Sequence, residues 1–482
     1  MQHGNAQGQG HVQEHGHGRA QHRVVVLGAG YAGAIAAGRL ARRLRREDVA
    51  ITLVNAEPDF VERVRMHQLA VGQELRPRPF SEMFAGTGVR LRLARVTAVD
   101  VDGRTVSITE AEPGGSGGSG GSGASGASGA SGASNGLGSS GGSSTSEGLG
   151  VSGGSDGLGS SSGPGDSGSS GSSGSSGMEE LPYDTLVYSL GSTWNTHDVP
   201  GAAEHAHDIA GRPGALRLRA RLAALGAGQP VVVVGGGLTG LEAATEIAEA
   251  RPDLKVTLAA RGALGDWLSP KGARHLRKVM AGLGITVHEN TTVTGVGADH
   301  VTTAAGDLPA SATIWTTGFA AHPIARATTL RTDATGRIEV DGTMRSLSHP
   351  DVYAIGDAAL AHGPGDKPLR MSCASGVPMA WQAADAIAAR LTGTKSPTAP
   401  LRYFNQCISL GRKEGLIQYV TADDRARTAA LTGRLAAFYK ELVCKGAAWG
   451  VANPTLAVPT RRRPTVVQPA PVPTPAPEAT TA

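Results

Sequence analysis

Val24-Val25-Val26-Leu27-Gly28-Ala29-Gly30-Tyr31-Ala32-Gly33 and Val231-Val232-Val233-Val234-Gly235-Gly236-Gly237-Leu238-Thr239-Gly240 are one ten-residue pattern written twice. Each begins with four aliphatic residues and ends in Gly-x-Gly-x-x-Gly. A short, unbroken aliphatic run is the mark of a strand buried on both faces, as in a parallel sheet. After the first copy, residues 34–46 put alanines on one side and arginines on the other, which predicts a helix. Ile51-Thr52-Leu53-Val54 is the next strand. After the second copy, a helix is expected from Leu241 to about Glu249, and Val256-Thr257-Leu258-Ala259 is the strand beyond it. Both copies therefore read as a βαβ unit with a glycine turn.

The spacing of these glycines has a chemical reason. The first permits a tight turn, the second lets the backbone approach a pyrophosphate, and the third lets helix and strand pack closely. The phosphates then face the free N–H groups at the helix start. In the first copy these roles fall to Gly28, Gly30 and Gly33, with Ala29 and Ala32 between them; in the second, to Gly235, Gly237 and Gly240. An acid after the second strand normally binds a ribose hydroxyl. Asn55 ends that strand in the first unit and Glu57 lies two residues on, so Glu57 is the candidate and Asn55 the alternative. One such motif is weak; two, each between a strand and an Ala-rich helix, are far more specific.

Three further segments end strands in glycine. They are Tyr183 to Ser192 with Gly191, Thr313 to Phe319 with Gly318, and Val352 to Ala359, where Gly356-Asp357 precedes a helix-like stretch. Val89 to Thr109 reads as short strands around the turn Asp102-Gly103.

Other stretches lack the means to form a core. Residues 1–22 are rich in Gly, Gln and His, residues 113–177 are almost wholly Gly, Ser and Ala, and residues 455–482 are rich in Pro, Thr and Ala. None has the apolar content to offset the entropy of ordering. The middle one is expected at a hairpin tip, because lengthening a turn from ~5 to ~65 residues costs only about 2 kcal/mol in closure entropy. His3, His11, His15 and His17 sit in such a tract and are not expected to form a defined metal site.

Charge and cysteine content narrow the class. The net charge is +4 and only 4% of residues are aromatic, which argues against nucleic acid as a partner. The one dense basic run, Arg461-Arg462-Arg463, is expected in a solvated tail. Cys373, Cys407 and Cys444 are too far apart in sequence for a local redox disulfide or zinc site, and suit a reducing cytoplasm. There is no signal-peptide pattern and no apolar stretch of membrane-spanning length.

The ordered set of motifs over residues 23–390 resembles the pyridine-nucleotide oxidoreductase superfamily, flavoproteins with two dinucleotide-binding domains. The resemblance implies an α/β fold of two Rossmann-like domains with a C-terminal α+β segment. The domain boundaries expected are 23–200 and 323–395 for FAD, 201–322 for NAD(P)H, and 396–454 for the C-terminal segment, with tails at 1–22 and 455–482. It assigns FAD to Gly28, Ala29, Gly30, Ala32 and Gly33, with Glu57 or Asn55 near the adenosine ribose, and places Gly191 and Asp357 of Gly356-Asp357 toward the flavin. It assigns NAD(P)H to Gly235, Gly237 and Gly240, with Gly318 at the equivalent strand end and Glu242 near the nicotinamide. NAD-binding members usually carry an acid after the second strand of this unit. Here the sequence is Ala259-Ala260-Arg261, so Arg261 is a candidate for a 2′-phosphate, with a surface arginine as the alternative reading.

Within the superfamily, the absence of a paired-cysteine motif argues against the disulfide reductases and the sulfide–quinone reductases. The chain is most similar to type II NADH dehydrogenases, which pass electrons from flavin to quinone. Their Pro-x-Ala-Gln-x-Ala helix beside the flavin is matched by Pro378-Met379-Ala380-Trp381-Gln382-Ala383, with Trp381 at the glutamine position and Gln382 displaced by one. Gln382 and Glu242 are the catalytic candidates. Alternatives are a ferredoxin or rubredoxin reductase and a non-catalytic flavin-binding redox sensor. Leu431, Leu435, Phe438 and Leu442 recur near helical spacing. Internal or homodimer packing of that row is expected over peripheral contact with the inner face of the plasma membrane.

Overall fold

The computed structural model describes residues 21–111, 178–396 and 399–466. The insert 113–177, the four N-terminal histidines and the end of the Pro-rich tail lie outside the described residues, and the expectations for them with it. Among the described residues, two sheets dominate: the second is parallel throughout, and the first has five parallel strands with two antiparallel ones at one edge. The first runs in the order Val352–Ala354, Thr185–Tyr188, His22–Leu27, Val49–Asn55, Val89–Asp100, Thr105–Glu110, Glu179–Pro182. The second runs Thr286–His288, Lys255–Ala259, Pro230–Val234, Ala312–Trp315, Ala206–Asp208. In each, the aliphatic strand of the repeated pattern is the middle one of five parallel strands, and Val24, Val26, Leu27, Val231 and Val233 are completely buried.

The two sheets are built alike around that strand. Leu27 pairs with Val54, and Val234 with Ala259. Gly28 N donates to Val54 O at 2.8 Å and Gly235 N to Ala259 O at 2.9 Å. On the other side, the Ser189 hydroxyl donates to Leu27 O and the Thr316 hydroxyl to Val234 O, both at 2.7 Å. The sequence-predicted strands thus fall where expected. Each glycine-turn helix begins earlier than the periodicity suggested, at Tyr31 and at Leu238, because the turn runs straight into the helix.

Helix Tyr31–Arg43 packs on helix Cys373–Thr392, and both are rich in buried small residues, among them Ala34, Ala36, Ala37, Ala380, Ala383 and Ala384. Small side chains bring the axes close. Arg39 grips Asp385 with two bonds of 2.6 and 2.8 Å, and Arg43 adds a contact of 2.9 Å. Breaking a pair this shielded leaves a charge stranded, which typically costs several kcal/mol.

Three elements differ from expectation. Val89–Asp100 is one strand of 12 residues, not several short ones. Its first half pairs in parallel with Val49–Asn55 and its second half antiparallel with Thr105–Glu110, so its length serves two partners in turn. Gly356-Asp357 opens only a single 3-10 turn, and the long helix waits until Cys373. Finally, the chain does not leave the fold at residue 455. Arg463 N donates to Arg43 O, the Thr460 hydroxyl to Arg42 O, and the Arg462 guanidinium to Ala41 O. The last carbonyls of helix Tyr31–Arg43 lack intrahelical donors, and this basic segment supplies them.

The strands before and after the insert are antiparallel neighbours, with Ile108 opposite Glu179. Replacing residues 113–177 by a four-residue turn is therefore expected to preserve the fold and to leave stability equal or up to about 2 kcal/mol higher. Urea denaturation followed by tryptophan fluorescence checks this; a clear loss of stability would count against the hairpin-tip placement.

Candidate active site

A cavity of about 1100 Å³ opens on both glycine turns. Gly30, Ala32, Gly191, Gly356 and Asp357 line it from the first unit, and Gly235, Gly237, Arg261 and Gly318 from the second. Gly28, Ala29, Gly33 and Gly240 stand behind this wall and shape it. A Cβ on Gly33 would lie 1.9 Å from Gly28 O, and one on Gly240 would lie 1.9 Å from Gly235 O. Packing alone requires those two glycines. Gly30 and Gly237 are different: a Cβ on either would meet nothing within 4 Å. The protein's own atoms do not explain them. Each is also the N-cap of a 13-residue helix with no side-chain cap, so the first amides of both helices have no partner from a capping side chain. Open space over a bare turn at an uncapped helix start has the room and the free donors that suit a bound anion, and both turns provide them.

Asp357 is held from two sides. The Ser192 hydroxyl donates to its Oδ2 at 2.6 Å, and the Arg63 guanidinium lies 3.5 Å from the same oxygen. Arg63 in turn donates to Ala210 O at 2.7 Å and sits over the Phe319 ring, 5.5 Å from its centroid. This side chain ties the Gly-Asp turn to elements of the second unit.

Glu242 is buried and lines the cavity. The Lys440 ammonium donates to its Oε1, and Ser409 N donates to the same atom at 3.1 Å. Lys440 also donates to Cys407 O at 3.0 Å. Burial pushes the Glu242 carboxyl upward, but the Lys440 charge and the hydrogen bonds outweigh it and hold the group below its ordinary value. His67 Nδ1 lies 3.8 Å from Glu242, yet burial lowers its pKa to about 4 despite the carboxylate, so it stays neutral near pH 7. Near pH 7 Lys440 is thus the cation that pairs with Glu242. One turn along the helix, Glu246 is also buried; one oxygen accepts from the Gln73 amide and the other has no partner. Burial raises its pKa to about 7.

Several sequence-derived assignments change. The Asn55 side-chain oxygen accepts from Ala29 N at 2.9 Å, so it secures the turn and does not line the cavity. Glu57 is likewise absent from the cavity wall. Gln382 points away, its amide donating to Gly342 O, and it is Trp381 that lines the cavity. On a helix, one position is a rotation of about 100°, so the displacement by one residue moved the amide off the face. Cys373, Cys407 and Cys444, distant in sequence, all reach this one cavity as free thiols. Burial raises the pKa of each, to about 12 for Cys407, so they are protonated near neutrality.

Arg63, His67 and Lys440 carried no motif and were missed. Lys440 is brought in by helix Arg434–Ala452, whose next residue, Glu441, takes two bonds of 2.9 Å from Arg65. The opposite face of this helix carries Leu435, Phe438 and Leu442, all more than half exposed. Within the single chain these three side chains are not packed internally, so of the two expected arrangements, internal or homodimer packing, the first does not hold for them. Leu431 belongs to strand Ala426–Thr432 instead. Among the described residues no helix is long and apolar enough to cross a membrane.

Comparison with known proteins bears on this geometry. The profile of the pyridine nucleotide-disulphide oxidoreductase family matches residues 163–388. An NADH dehydrogenase-like protein of Mycobacterium tuberculosis is 27% identical over 386 residues, covering 74% of this chain and 78% of that protein. Demethylphylloquinone reductase of a Synechocystis species is 22% identical over 439 residues, 87% of this chain and 92% of its own. Among solved structures, NDH2 of Plasmodium falciparum in complex with NADH superimposes with a TM-score of 0.64 at 13% identity, over 91% of this chain and 99% of that one.

Two stability measurements test the buried charges. Lys440→Met strands the Glu242 carboxylate and should lower unfolding free energy by about 3–5 kcal/mol, and adding Glu242→Gln should restore part of it. Urea titration of the four proteins of the cycle reads the coupling; simple additivity would refute it. For Glu246, the folded pKa of about 7 lies above the ordinary 4.5. Its contribution is thus fully present below about pH 4.5 and is lost as pH rises through 7. Glu246→Gln should raise stability by about 1–3 kcal/mol at pH 8 and by little at pH 4.5, read as Tm at the two pH values.

Proposed function

Because the chain belongs to the FAD-dependent pyridine-nucleotide oxidoreductase superfamily, we propose that this oxidoreductase takes electrons from NAD(P)H and delivers them through FAD to a quinone-type acceptor. The observation that carries the reading is the joining of two bare glycine cradles by one cavity, which also extends along Val377, Pro378, Trp381, Val443 and Ala447. Two cradles suit two dinucleotides, and an apolar wall suits an acceptor with a hydrophobic ring. The relatives named for NADH dehydrogenase and demethylphylloquinone reductase activity support the same direction.

FAD, when bound, supplies the two-electron relay between nicotinamide and acceptor. The chain's residues bind, orient and shield. The Gly30 turn and the helix starting at Tyr31 would hold the FAD pyrophosphate, with Asp357 fixed by Ser192 and Arg63 to accept from hydroxyls between phosphate and flavin. The Gly237 turn and the helix starting at Leu238 would hold the pyrophosphate of NAD(P)H. Glu242 acts as a positioning residue: Lys440 and Ser409 occupy its Oε1, which leaves Oε2 to accept from the nicotinamide amide. Ion pairing with Lys440 keeps Glu242 charged without protonating anything in the cavity. The exposed Leu435, Phe438 and Leu442, with Arg434 and Lys445 on the same helix, support peripheral contact with a membrane surface, where quinones reside.

The tests are direct. Purified protein should be yellow, should bleach on addition of NADH or NADPH, and should recover colour with menadione. Recovery with an added ferredoxin but not with menadione would replace the quinone reading. Gly30→Val should fold normally, since its Cβ meets nothing within 4 Å, yet should lose bound flavin. Gly237→Val should keep its flavin and raise the KM for NAD(P)H by about tenfold or more, a loss of at least ~1.4 kcal/mol of binding. Flavin retained in Gly30→Val would refute the assignment of the first cradle.

A further inference from the structure

The two glycine turns are copies in their strands, their hydroxyl props and their uncapped helices, and they part company at one place. Register equates Val54 with Ala259, because each pairs with the last residue of the central strand and its carbonyl accepts from the first glycine of the turn. Asn55 and Ala260 are therefore equivalent positions. In the first unit the Asn55 side chain closes over the turn and accepts from Ala29 N. In the second, Ala260 has only a methyl, and it backs onto the turn so closely that a Cβ on Gly236 would lie 2.8 Å from it. No carboxylate stands where a ribose 2′-hydroxyl would need an acceptor. The next residue is Arg261, on the cavity wall.

Charge accounting singles this arginine out. The Arg and Lys side chains lining the cavity are Arg63, Arg261, Arg370 and Lys440. Arg63 faces Asp357, Arg370 pairs with Asp424, and Lys440 pairs with Glu242. Arg261 alone has no carboxylate partner among the described residues. The acids near it in sequence are not used: Glu289 is taken by Arg277 and Leu264 N, and Asp266 forms no ion pair with it. The only carboxylates lining the cavity, Glu242 and Asp357, are already paired. An unpaired guanidinium beside an acid-free ribose position fits a dianion, and its planar fork matches phosphate oxygens.

We infer that the second cradle selects the dinucleotide bearing a 2′-phosphate, so that NADPH is preferred to NADH, with Arg261 as the specificity-determining residue and Ala260 removing the competing acid. The inference rests on the reading of the second cradle as the NAD(P)H site and narrows it to one substrate.

Calorimetry with adenosine 2′,5′-bisphosphate and with AMP reads the site without turnover, on the flavin-loaded full chain. The bisphosphate should bind at least about tenfold more tightly than AMP, a difference of ~1.4 kcal/mol. Arg261→Ala should bring the ratio toward one, and Arg261→Lys should retain part of it. Raising salt should weaken the bisphosphate more than AMP, since only its extra charge is screened. In turnover, kcat/KM for NADPH should exceed that for NADH, and Ala260→Asp combined with Arg261→Ala should reverse the order. Equal affinities, or an Arg261→Ala ratio that stays put, overturn the proposal. Strong discrimination between the two nucleotides without oxidation of either dinucleotide upholds the 2′-phosphate site and rejects the oxidoreductase reading of the cavity.

Discussion

Everything in this protein is arranged around two places where the backbone must be bare. At Gly28–Gly33 and at Gly235–Gly240, the third glycine lies so close to the first glycine's carbonyl that any Cβ would overlap it. That contact forces each helix to start directly at the end of its strand. It also aims the helix's unbonded amides over the middle glycine, where the protein leaves open space. The flanking strand locks the arrangement from the other side, through Ser189 in one sheet and Thr316 in the other. The cavity is what remains once both turns are placed, and its position follows from packing before any ligand is considered.

The second constraint is electrostatic. A buried carboxylate is tolerable only with a partner, and Glu242 finds its partner on the C-terminal helix. Lys440 and Glu441, adjacent in sequence, make ion pairs to Glu242 and Arg65 and so dock that helix onto the cavity. With this face committed, the rotation of the helix is fixed. Its apolar row at Leu435, Phe438 and Leu442 has to point outward. One buried pair thus links the second glycine-turn helix, the cavity wall and an exposed hydrophobic surface.

The α/β fold, the two cradles and the glycine-ended strands were legible in the sequence because their causes are local. A tight turn needs glycine at fixed offsets, and a strand covered on both faces needs an unbroken aliphatic run. Ala260-Arg261 was legible for the same reason, as a departure from a local pattern. Gln382 lies off the cavity wall because one residue on a helix is a change of face, which sequence proximity does not reveal. Asn55 turns its amide oxygen to its own turn, a partner that the sequence position does not reveal.

What only the tertiary structure decided was which distant groups share a space. Three cysteines 34 and 37 residues apart meet at one cavity, Arg63 reaches Asp357, and Lys440 reaches Glu242 across 198 residues. The basic segment at Arg461–Arg463 looked like tail and instead supplies donors to the last carbonyls of helix Tyr31–Arg43. Charge balance and burial are properties of a neighbourhood, and neighbourhoods are made by packing. The sequence by itself determined the turns that make the cradles; the folded chain determined which charges surround them, and so which one was left unpaired.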